Sequence, residues 1–275
     1  MSFDLTSYLA RIHLKTAPAP DADGLHLLQR HQRLTIPFEN LDIAIGRGIS
    51  LEPDAVFGKL VTRRRGGYCF EQNQLFLRAL HAVGYEARPL LARVWLGASE
   101  TPPKTHTFSL VSIDGQDWIA DAGFGGSYAP PMPLEDGATA TSPDGAEHRL
   151  RRDPDHGWML ERHGDAATTD GRGAGQAGWL PQYSFTLDSV WPADLLLANH
   201  WTATAPTSRF VQHRIVSLVL PAGFATLTDT RYSRRNGSEH VEAEIASAKA
   251  YRLRLNFVFG IDLDQAEVDA LGLYP

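Results

Sequence analysis

The sequence predicts an α+β protein in three regions, because the spacing of its apolar residues changes along the chain. The first third repeats apolar residues at helical spacing, as in Leu5 and Leu9. The middle third has short apolar and alternating runs typical of strands, and the last third mixes both patterns. Helices followed by strands, without regular alternation, favour an α+β class. The predicted regions are 1–85, 86–190 and 191–275.

Capping residues and helix breakers place four helices in the first region. Helix starts are predicted at Ser2 or Asp4, at Asp21, at Pro53 and at Cys69. Serine and aspartate side chains accept hydrogen bonds from first-turn N–H groups, and proline is tolerated in a first turn. The fourth helix should run to about Leu80 and stop at Gly84, since glycine adopts the left-handed conformation that ends many helices.

Strands are predicted in the second region and in much of the third. The clearest pair is 106–113 and 118–122, joined by Asp114-Gly115, a dipeptide typical of tight hairpins. The other predicted strands are 89–95, 158–160, 183–187, 214–220, 225–228 and 251–258. Two further helices are predicted, from Ala193 to about His200 and from Asp264 onward. The run 238–248 fits either a strand or a helix.

The composition excludes several classes of protein. Of 275 residues, 43% are hydrophobic and only one is cysteine, which excludes a disordered chain and a disulfide scaffold. The formal net charge of −6 gives no attraction to a nucleic-acid backbone. The start of the chain carries Asp4 and no long apolar run, and no later run is long enough to span a bilayer. We therefore expect a cytoplasmic protein, without membrane or nucleic-acid partners, as a monomer or weak homodimer.

Cys69 is the first candidate for chemistry, because it stands where Gly66-Gly67 leads into a predicted helix. A thiol at a helix N-terminus is exposed to the positive end of the helix dipole, which favours the thiolate. Two preceding glycines allow a sharp turn that leaves the sulfur accessible. The alternative is a small buried hydrophobic residue, the commonest role of a single cysteine.

A cysteine nucleophile needs a base and a group that orients the base. His106 lies at the head of one predicted hairpin strand, and Asp121 lies at the end of the other. The hairpin brings these two positions to the same end of adjacent strands, which is the arrangement required by a Cys–His–Asp relay. Without Cys69, an edge-strand histidine and a turn-capping aspartate would be the favoured interpretation.

Two other sequence patterns were considered as a nucleotide-binding site and as a metal site, and neither is predicted to be one. The glycine-rich segment 121–127 is neither a Walker A loop nor a GxGxxG motif, so a simple turn is favoured over a pyrophosphate site. His148, His156 and His163 lie near one another without the spacing of a known metal motif. No metal site is predicted.

With these residues assembled, the sequence resembles the arylamine N-acetyltransferases over nearly its whole length. The resemblance rests on the strings IPFENLD at 36–42, RGGYCFEQN at 65–73, TH at 105–106, IADAGFG at 119–125 and NHWTATAPTS at 199–208. It implies an N-terminal helical domain, a central β-barrel and a C-terminal α/β lid, with a core like that of papain-type cysteine enzymes. The three regions predicted from residue spacing agree with this division.

The resemblance also implies a reaction and its site. Acetyl-CoA would acetylate Cys69, and a small aromatic amine or hydrazine would then take the acetyl group, with His106 and Asp121 completing the triad. The residues implied to contact the aromatic substrate are Phe38, Thr105, Phe124 and Trp201. Those implied to contact CoA are Gly125, Gly126 and Thr207, and no metal is implied.

Two other functions use the same residues. A transglutaminase-like or amide-hydrolysing enzyme, or an amide synthase for a natural product, would use the triad with a different acyl donor. A protein that only binds CoA or aryl groups would not need an intact triad, and Cys69, His106 and Asp121 together argue against it.

Overall fold

Helices dominate the first region, as the apolar spacing predicts. The computed structural model describes residues 3–173 and 175–274. Its first helices are α1 Leu5–Arg11, α2 Ala22–Thr35, α3 Leu41–Ala44, α4 Pro53–Phe57 and α5 Cys69–Val83, with a π-helical segment, Gly58–Thr62, after α4. Asp4 caps α1 by accepting from Ser7 N at 3.0 Å, whereas the alternative cap, Ser2, lies outside the described residues. Gly84 ends α5 with φ 111°, as predicted.

The strands form two antiparallel sheets. In chain order they are β1 Phe38–Glu39, β2 Glu86–Val94, β3 Lys104–Ile113, β4 Gln116–Ala120, β5 Met132–Pro133, β6 Thr139–Thr141, β7 Glu147–Asp153, β8 Gly157–His163, β9 Leu180–Phe185, β10 Ile215–Leu220, β11 Gly223–Thr228, β12 Arg231–Asn236 and β13 Glu239–Glu244. The larger sheet has the order β5-β4-β3-β2-β9-β8-β7-β6. Residues 134–138 join its two edge strands, so the sheet curls into a barrel-like shape. The smaller sheet has the order β1-β10-β11-β12-β13.

The predicted hairpin is confirmed in detail. Strands β3 and β4 pair in antiparallel register, with Ser109 opposite Ala120. Asp114 and Gly115 both have positive φ, at 50° and 80°, as a tight two-residue turn requires. This hairpin fixes the relative positions of the residues just before Ser109 and just after Ala120.

The last region contains the one clear error of the sequence prediction. Its helices are α6 Pro192–Thr204, α7 Arg209–Gln212, α8 Ala248–Phe259 and α9 Gln265–Ala270. The predicted strand 251–258 is wrong, because these residues lie within α8. Tyr251, Leu255 and Phe259 are buried at helical spacing, and Leu253 and Phe257 face outward. The ambiguous run 238–248 contains β13.

Apolar cores cross the boundaries of the three predicted regions. Leu75 and Phe76 of α5 pack in one cluster with Val111 of β3. Leu41 of α3 packs in the core formed by the C-terminal sheet and helices. The division at 85 and 190 therefore stays a prediction. No helix within the described residues is both long and apolar enough to cross a membrane.

Candidate active site

Cys69 is the first residue of α5 and follows a turn that only glycine permits. A Cβ at Gly66 would lie 2.4 Å from Pro37 O, and a Cβ at Gly67 would lie 2.9 Å from Glu71 Cβ. Both distances are shorter than a Cβ can have to a non-bonded oxygen or carbon atom, so the two glycines let the chain pass close to its neighbours. The Cys69 residue is 3% exposed, and it lines a cavity that opens to the protein surface.

A buried ionic cluster fixes the approach to Cys69. Lys59, at the start of the π-helical segment, lies 2.8 Å from both Glu71 and Asp42. Arg65 donates to Glu39 at 2.8 Å and to Asp42 at 3.1 Å. All five residues are less than 9% exposed. We call Glu39, Asp42, Lys59, Arg65 and Glu71 the ionic cluster. It connects the glycine turn and the first turn of α5 to strand β1 and helix α3.

Three carboxyl groups and two cations make the ionic cluster one negative charge in excess when all five are ionised. Burial, and secondarily the charge of Glu39, raise the pKa of Glu71 to about 7, although Lys59 acts to lower it. Glu71 Oε2 also accepts the Tyr68 N–H at 3.1 Å, which satisfies a backbone donor at the start of α5. The titratable carboxyl group thus lies two residues from Cys69.

His106 and Asp121 meet at the end of the hairpin, as the sequence predicts. His106 Nε2 donates to Asp121 Oδ2 at 2.6 Å, and both residues are less than 5% exposed. Burial acts to raise the pKa of the Asp121 carboxyl, but the charge and hydrogen bond of His106, with further hydrogen bonds, bring it below its usual value. Since Nε2 is engaged by Asp121, Nδ1 is the ring atom left to exchange protons.

Asn73 holds Asp121 from the same helix that carries Cys69. Its Nδ2 donates to Asp121 Oδ1 at 3.0 Å and to Thr107 O at 2.6 Å, and its Oδ1 accepts from Ala122 N at 3.0 Å. Cys69 and Asn73 lie four residues apart on α5, so they share one face. This role was not predicted from the sequence, although the four-residue spacing between Cys69 and Asn73 is a signal that indicates it.

Two buried residues of α2 complete the surroundings of Asp121. Gln29 Oε1 accepts from Asp121 N at 2.6 Å. Arg33 Nη2 donates to Phe124 O at 2.7 Å and to Ser127 O at 3.0 Å, which pins the glycine-rich segment. Burial lowers the pKa of Arg33, and the charge of Asp121 acts in the opposite direction. No local sequence pattern predicts either role, since both residues read only as polar side chains on a helix.

The environment of Cys69 favours the neutral thiol. Burial, with the Asp121 charge as the second cause, raises the pKa of the thiol above its ordinary value. Backbone N–H groups of Phe70 and Thr107 act to lower it. The sulfur donates a hydrogen bond to Thr105 O at 3.7 Å. The helix N-terminus alone therefore does not produce a thiolate, and ionisation requires a proton acceptor.

A cavity of about 280 Å³ collects most of the predicted site residues. Of the predicted set it is lined by Phe38, Cys69, Thr105, His106, Phe124, Gly125, Trp201 and Thr207. Asp121 lies behind His106 and does not line the cavity. Gly126 does not line it either, and its carbonyl accepts from Asp170 N at 3.0 Å.

Gly125 has a packing role that its glycine identity explains. A Cβ at this position would lie 2.8 Å from the ring of Phe38. The close approach brings Phe38 of β1 to the cavity wall, where its ring centroid lies 5.8 Å from that of Phe210. The ring of Phe124 makes an edge contact with the His106 imidazole at 5.1 Å. The cavity wall next to Cys69 and His106 is therefore largely aromatic.

Several residues that line the cavity were not predicted from the sequence. The apolar ones are Val94, Pro102, Pro103, Phe210 and Ile215, and the charged ones are Asp170, Arg172 and Arg209. The charged residues come from the loop before β9 and from α7, far from Cys69 in the sequence. No local pattern predicts that these segments meet at one cavity.

Comparison with known proteins places the chain in a family. A family model described as N-acetyltransferase matches residues 21–268. The chain is 36% identical to the arylamine N-acetyltransferase of Escherichia coli strain K12 over 98% of this chain and 94% of the relative. It belongs to the arylamine N-acetyltransferase family. The predicted family resemblance is confirmed.

Solved structures of this family have the same fold. The arylamine N-acetyltransferase from Salmonella typhimurium matches with a TM-score of 0.88 and 32% identity, covering 97% of each chain. The Mycobacterium marinum enzyme, solved in complex with CoA, matches with a TM-score of 0.86 and 30% identity, covering 98% of each chain. The predicted fold class is therefore confirmed over almost the entire chain.

Proposed function

We propose that this protein transfers an acetyl group from acetyl-CoA to the nitrogen of aromatic amines or hydrazines, through a thioester on Cys69. The proposed triad is Cys69, His106 and Asp121. The observation that carries the proposal is a single cavity lined by Cys69 and His106, with Asp121 bonded to the far side of the imidazole ring. Membership of the family supports the same reaction.

The first half-reaction begins with the proton of the neutral thiol. Because burial disfavours the thiolate, His106 Nδ1 takes the Cys69 proton as the sulfur attacks the acetyl carbonyl. The new bond joins Sγ to the acetyl carbon, and the bond from that carbon to the CoA sulfur breaks. The imidazolium formed is stabilised by the ionised Asp121, and it returns its proton to the departing CoA thiolate.

The second half-reaction transfers the acetyl group to nitrogen. The amine nitrogen attacks the thioester carbon, the carbon–sulfur bond breaks, and His106 passes a proton from nitrogen to the Cys69 sulfur. Aromatic amines are neutral near pH 7, so a base of ordinary strength is sufficient. Asp121 has the same role in both halves, since an imidazolium forms in each.

The cavity wall fits an aromatic acceptor. An apolar cavity of about 150 Å³ is enough to hold benzene, and this cavity of about 280 Å³ leaves room for substituents. We propose that Phe38, Phe124 and Trp201 contact the aromatic ring, with Thr105 beside His106. Aromatic pairs with offset or edge geometry add to the burial of apolar surface.

For the donor, we propose that Gly125 and Thr207 contact the part of CoA that enters the cavity. The solved relative in complex with CoA supports acetyl-CoA as the donor. Gly126 was implied as a third contact by the resemblance. Its carbonyl accepts from Asp170 N and it lies outside the cavity lining, and its contact with CoA stays a prediction.

The test is the mass of the intact protein after brief exposure to acetyl-CoA, followed by peptide mapping. We expect a single acetyl group on Cys69, which addition of aniline removes. Cys69→Ala should keep its fold by circular dichroism, form no adduct and have no transferase activity. An adduct on another residue, or turnover by Cys69→Ala, would contradict the proposal.

A further inference from the structure

Two arginines reach the rim of the cavity from different segments of the chain. Arg172 lies in the loop before β9, and Arg209 begins α7. Both line the cavity that contains Cys69, and both also line the larger groove next to it. The rim is thus the passage between the site of chemistry and the protein surface.

One carboxylate holds the two guanidinium groups in place. Asp170 Oδ2 accepts from Arg172 Nε at 2.6 Å and from Arg209 Nη1 at 3.0 Å. The Asp170 side chain is only 5% exposed, whereas those of Arg172 and Arg209 are 26% and 24% exposed. A guanidinium has five N–H donors, and Asp170 takes one from each arginine. The arginines are therefore oriented and still accessible from the cavity.

The charge balance of the rim favours an anion. Apart from Cys69 and His106, the titratable residues that line the cavity are Asp170, Arg172 and Arg209, and their charges sum to one net positive charge. This charge stands out against the formal charge of −6 for the whole chain. Burial lowers the pKa of Arg209, and so does the charge of Arg172, against the opposing charge of Asp170. An anion bound in addition to Asp170 would act against the lowering of the Arg209 pKa by burial and by the charge of Arg172.

We propose that Arg172 and Arg209 form an oxyanion-binding subsite at the rim of the active-site cavity, oriented by Asp170. Its ligand is a carboxylate or phosphate group of a substrate. Two substrates of the proposed function, on which this inference rests, can supply that group. An aromatic amine can carry a ring carboxylate, and acetyl-CoA carries phosphates that stay outside the cavity when its acetyl group is at Cys69, because CoA is far larger than the cavity. Arginine suits both, since its planar fork matches carboxylate and phosphate oxygens.

The experiment measures binding to Arg172→Gln, Arg209→Gln and wild-type protein by calorimetry, or by protection of Cys69 from iodoacetamide. These readouts need no turnover. Each anionic probe is compared with a neutral one: 4-aminobenzoate with 4-aminobenzamide, which has nearly the same shape, and CoA with pantetheine, which keeps the thiol arm and lacks the phosphates and the adenosine. The matched control is Arg234→Gln, which removes a positive charge from an exposed pair with Glu239 outside the cavity and the groove.

We expect both cavity variants to weaken at least one anionic probe by roughly 10- to 100-fold, the range for a charged hydrogen bond. The neutral partner and the Arg234→Gln control should change less than about 2-fold. Loss of 4-aminobenzoate binding would assign the subsite to the acceptor, and loss of CoA binding would assign it to the donor.

Equal losses for the anionic and the neutral probe of each pair would overturn the inference, as would no loss at all. Salt provides a check in wild-type protein that does not depend on the variants folding. Raising the salt concentration should weaken the anionic probe selectively, because screening acts on charge. Failure of acetylation at Cys69 would instead contradict the proposed function, and it is measured separately.

Discussion

The Asp121 carboxylate accepts hydrogen bonds from other residues as well as from His106. Its Oδ1 accepts from Asn73 and from Gly123 N at 2.9 Å, while its Oδ2 is left to His106. Each carboxylate oxygen therefore has its own partners, and the ring of His106 can adopt only one orientation relative to the hairpin. This arrangement lets one residue fix both the tautomer of His106 and the charge that stabilises its protonated form.

Asp121→Asn should separate these effects from folding. The amide keeps the shape of the side chain but loses the charge that stabilises an imidazolium, so kcat should fall by about 10²- to 10⁴-fold. Circular dichroism and melting should show a folded protein. Asp117→Asn, an exposed position on the same hairpin, is the control and should retain wild-type kcat. Near-normal kcat in Asp121→Asn would remove Asp121 from its proposed role.

At the scale of single residues, the sequence predicts the parts of the site that lie in local motifs. Cys69 follows a glycine turn and His106 and Asp121 share a hairpin, so local structure brings out their roles. Gln29 and Arg33 reach Asp121 and the glycine-rich segment across more than 90 residues of sequence. Nothing local distinguishes them from other polar residues on a helix, because their function depends on tertiary packing.

At the scale of elements, the start of α5 combines a nucleophile with a buried titratable carboxyl group. Glu71 accepts the Tyr68 N–H and also binds Lys59. Burial raises its pKa from 4.5 to about 7, so the folded protein holds a proton there that the unfolded chain has lost. Between these two pH values the folded state binds more protons, and stability must fall as the pH rises.

Glu71→Gln tests this linkage. The variant cannot ionise, so its free energy of unfolding should change less between about pH 4.5 and 7 than that of the wild type. The difference in slope should not exceed about 1.4 kcal/mol per pH unit, the value for one proton. Urea unfolding at several pH values measures it. Glu100→Gln, in an exposed loop, should follow the wild-type slope, and a parallel curve for Glu71→Gln would contradict the raised pKa.

Element types follow from sequence where the capping signals and the apolar spacing agree. In α5 they agree, and the predicted helix is confirmed. In α8 they conflict, because Leu253, Leu255 and Phe257 alternate with polar residues as in a strand. The caps decide the outcome: Ser247 accepts from Ala250 N at 3.3 Å, and Gly260 ends the helix with φ 65°. Of the three alternating apolar residues, only Leu255 is buried in the helix, and Leu253 and Phe257 are exposed.

At the scale of the whole molecule, two segments that are distant in the sequence are joined next to the cavity. Asn40, just after β1, makes the central connection to the segment around α7. Its Nδ2 donates to Phe210 O and to His213 O, both at 2.7 Å, and its Oδ1 accepts from Ile215 N at 2.7 Å. Phe210 and Ile215 line the cavity, so one amide links the N-terminal region to the far wall of the site.

Asn40→Ala should therefore affect both stability and substrate binding. It leaves two carbonyl groups and one N–H without their partner, at a cost of about 1 to 3 kcal/mol each where water cannot replace it, so we expect a loss of at least about 2 kcal/mol. Without these hydrogen bonds, Phe210 and Ile215 are less firmly held at the cavity wall. KM for aromatic amines should therefore rise more than kcat falls, because Cys69, His106 and Asp121 are unchanged. Thermal melting and steady-state kinetics measure the two effects. Asn256→Ala, exposed on α8, should stay within about 0.5 kcal/mol of the wild type. If Asn40→Ala behaved like this control, the connection between the two regions would have to be carried by the β1–β10 pairing instead.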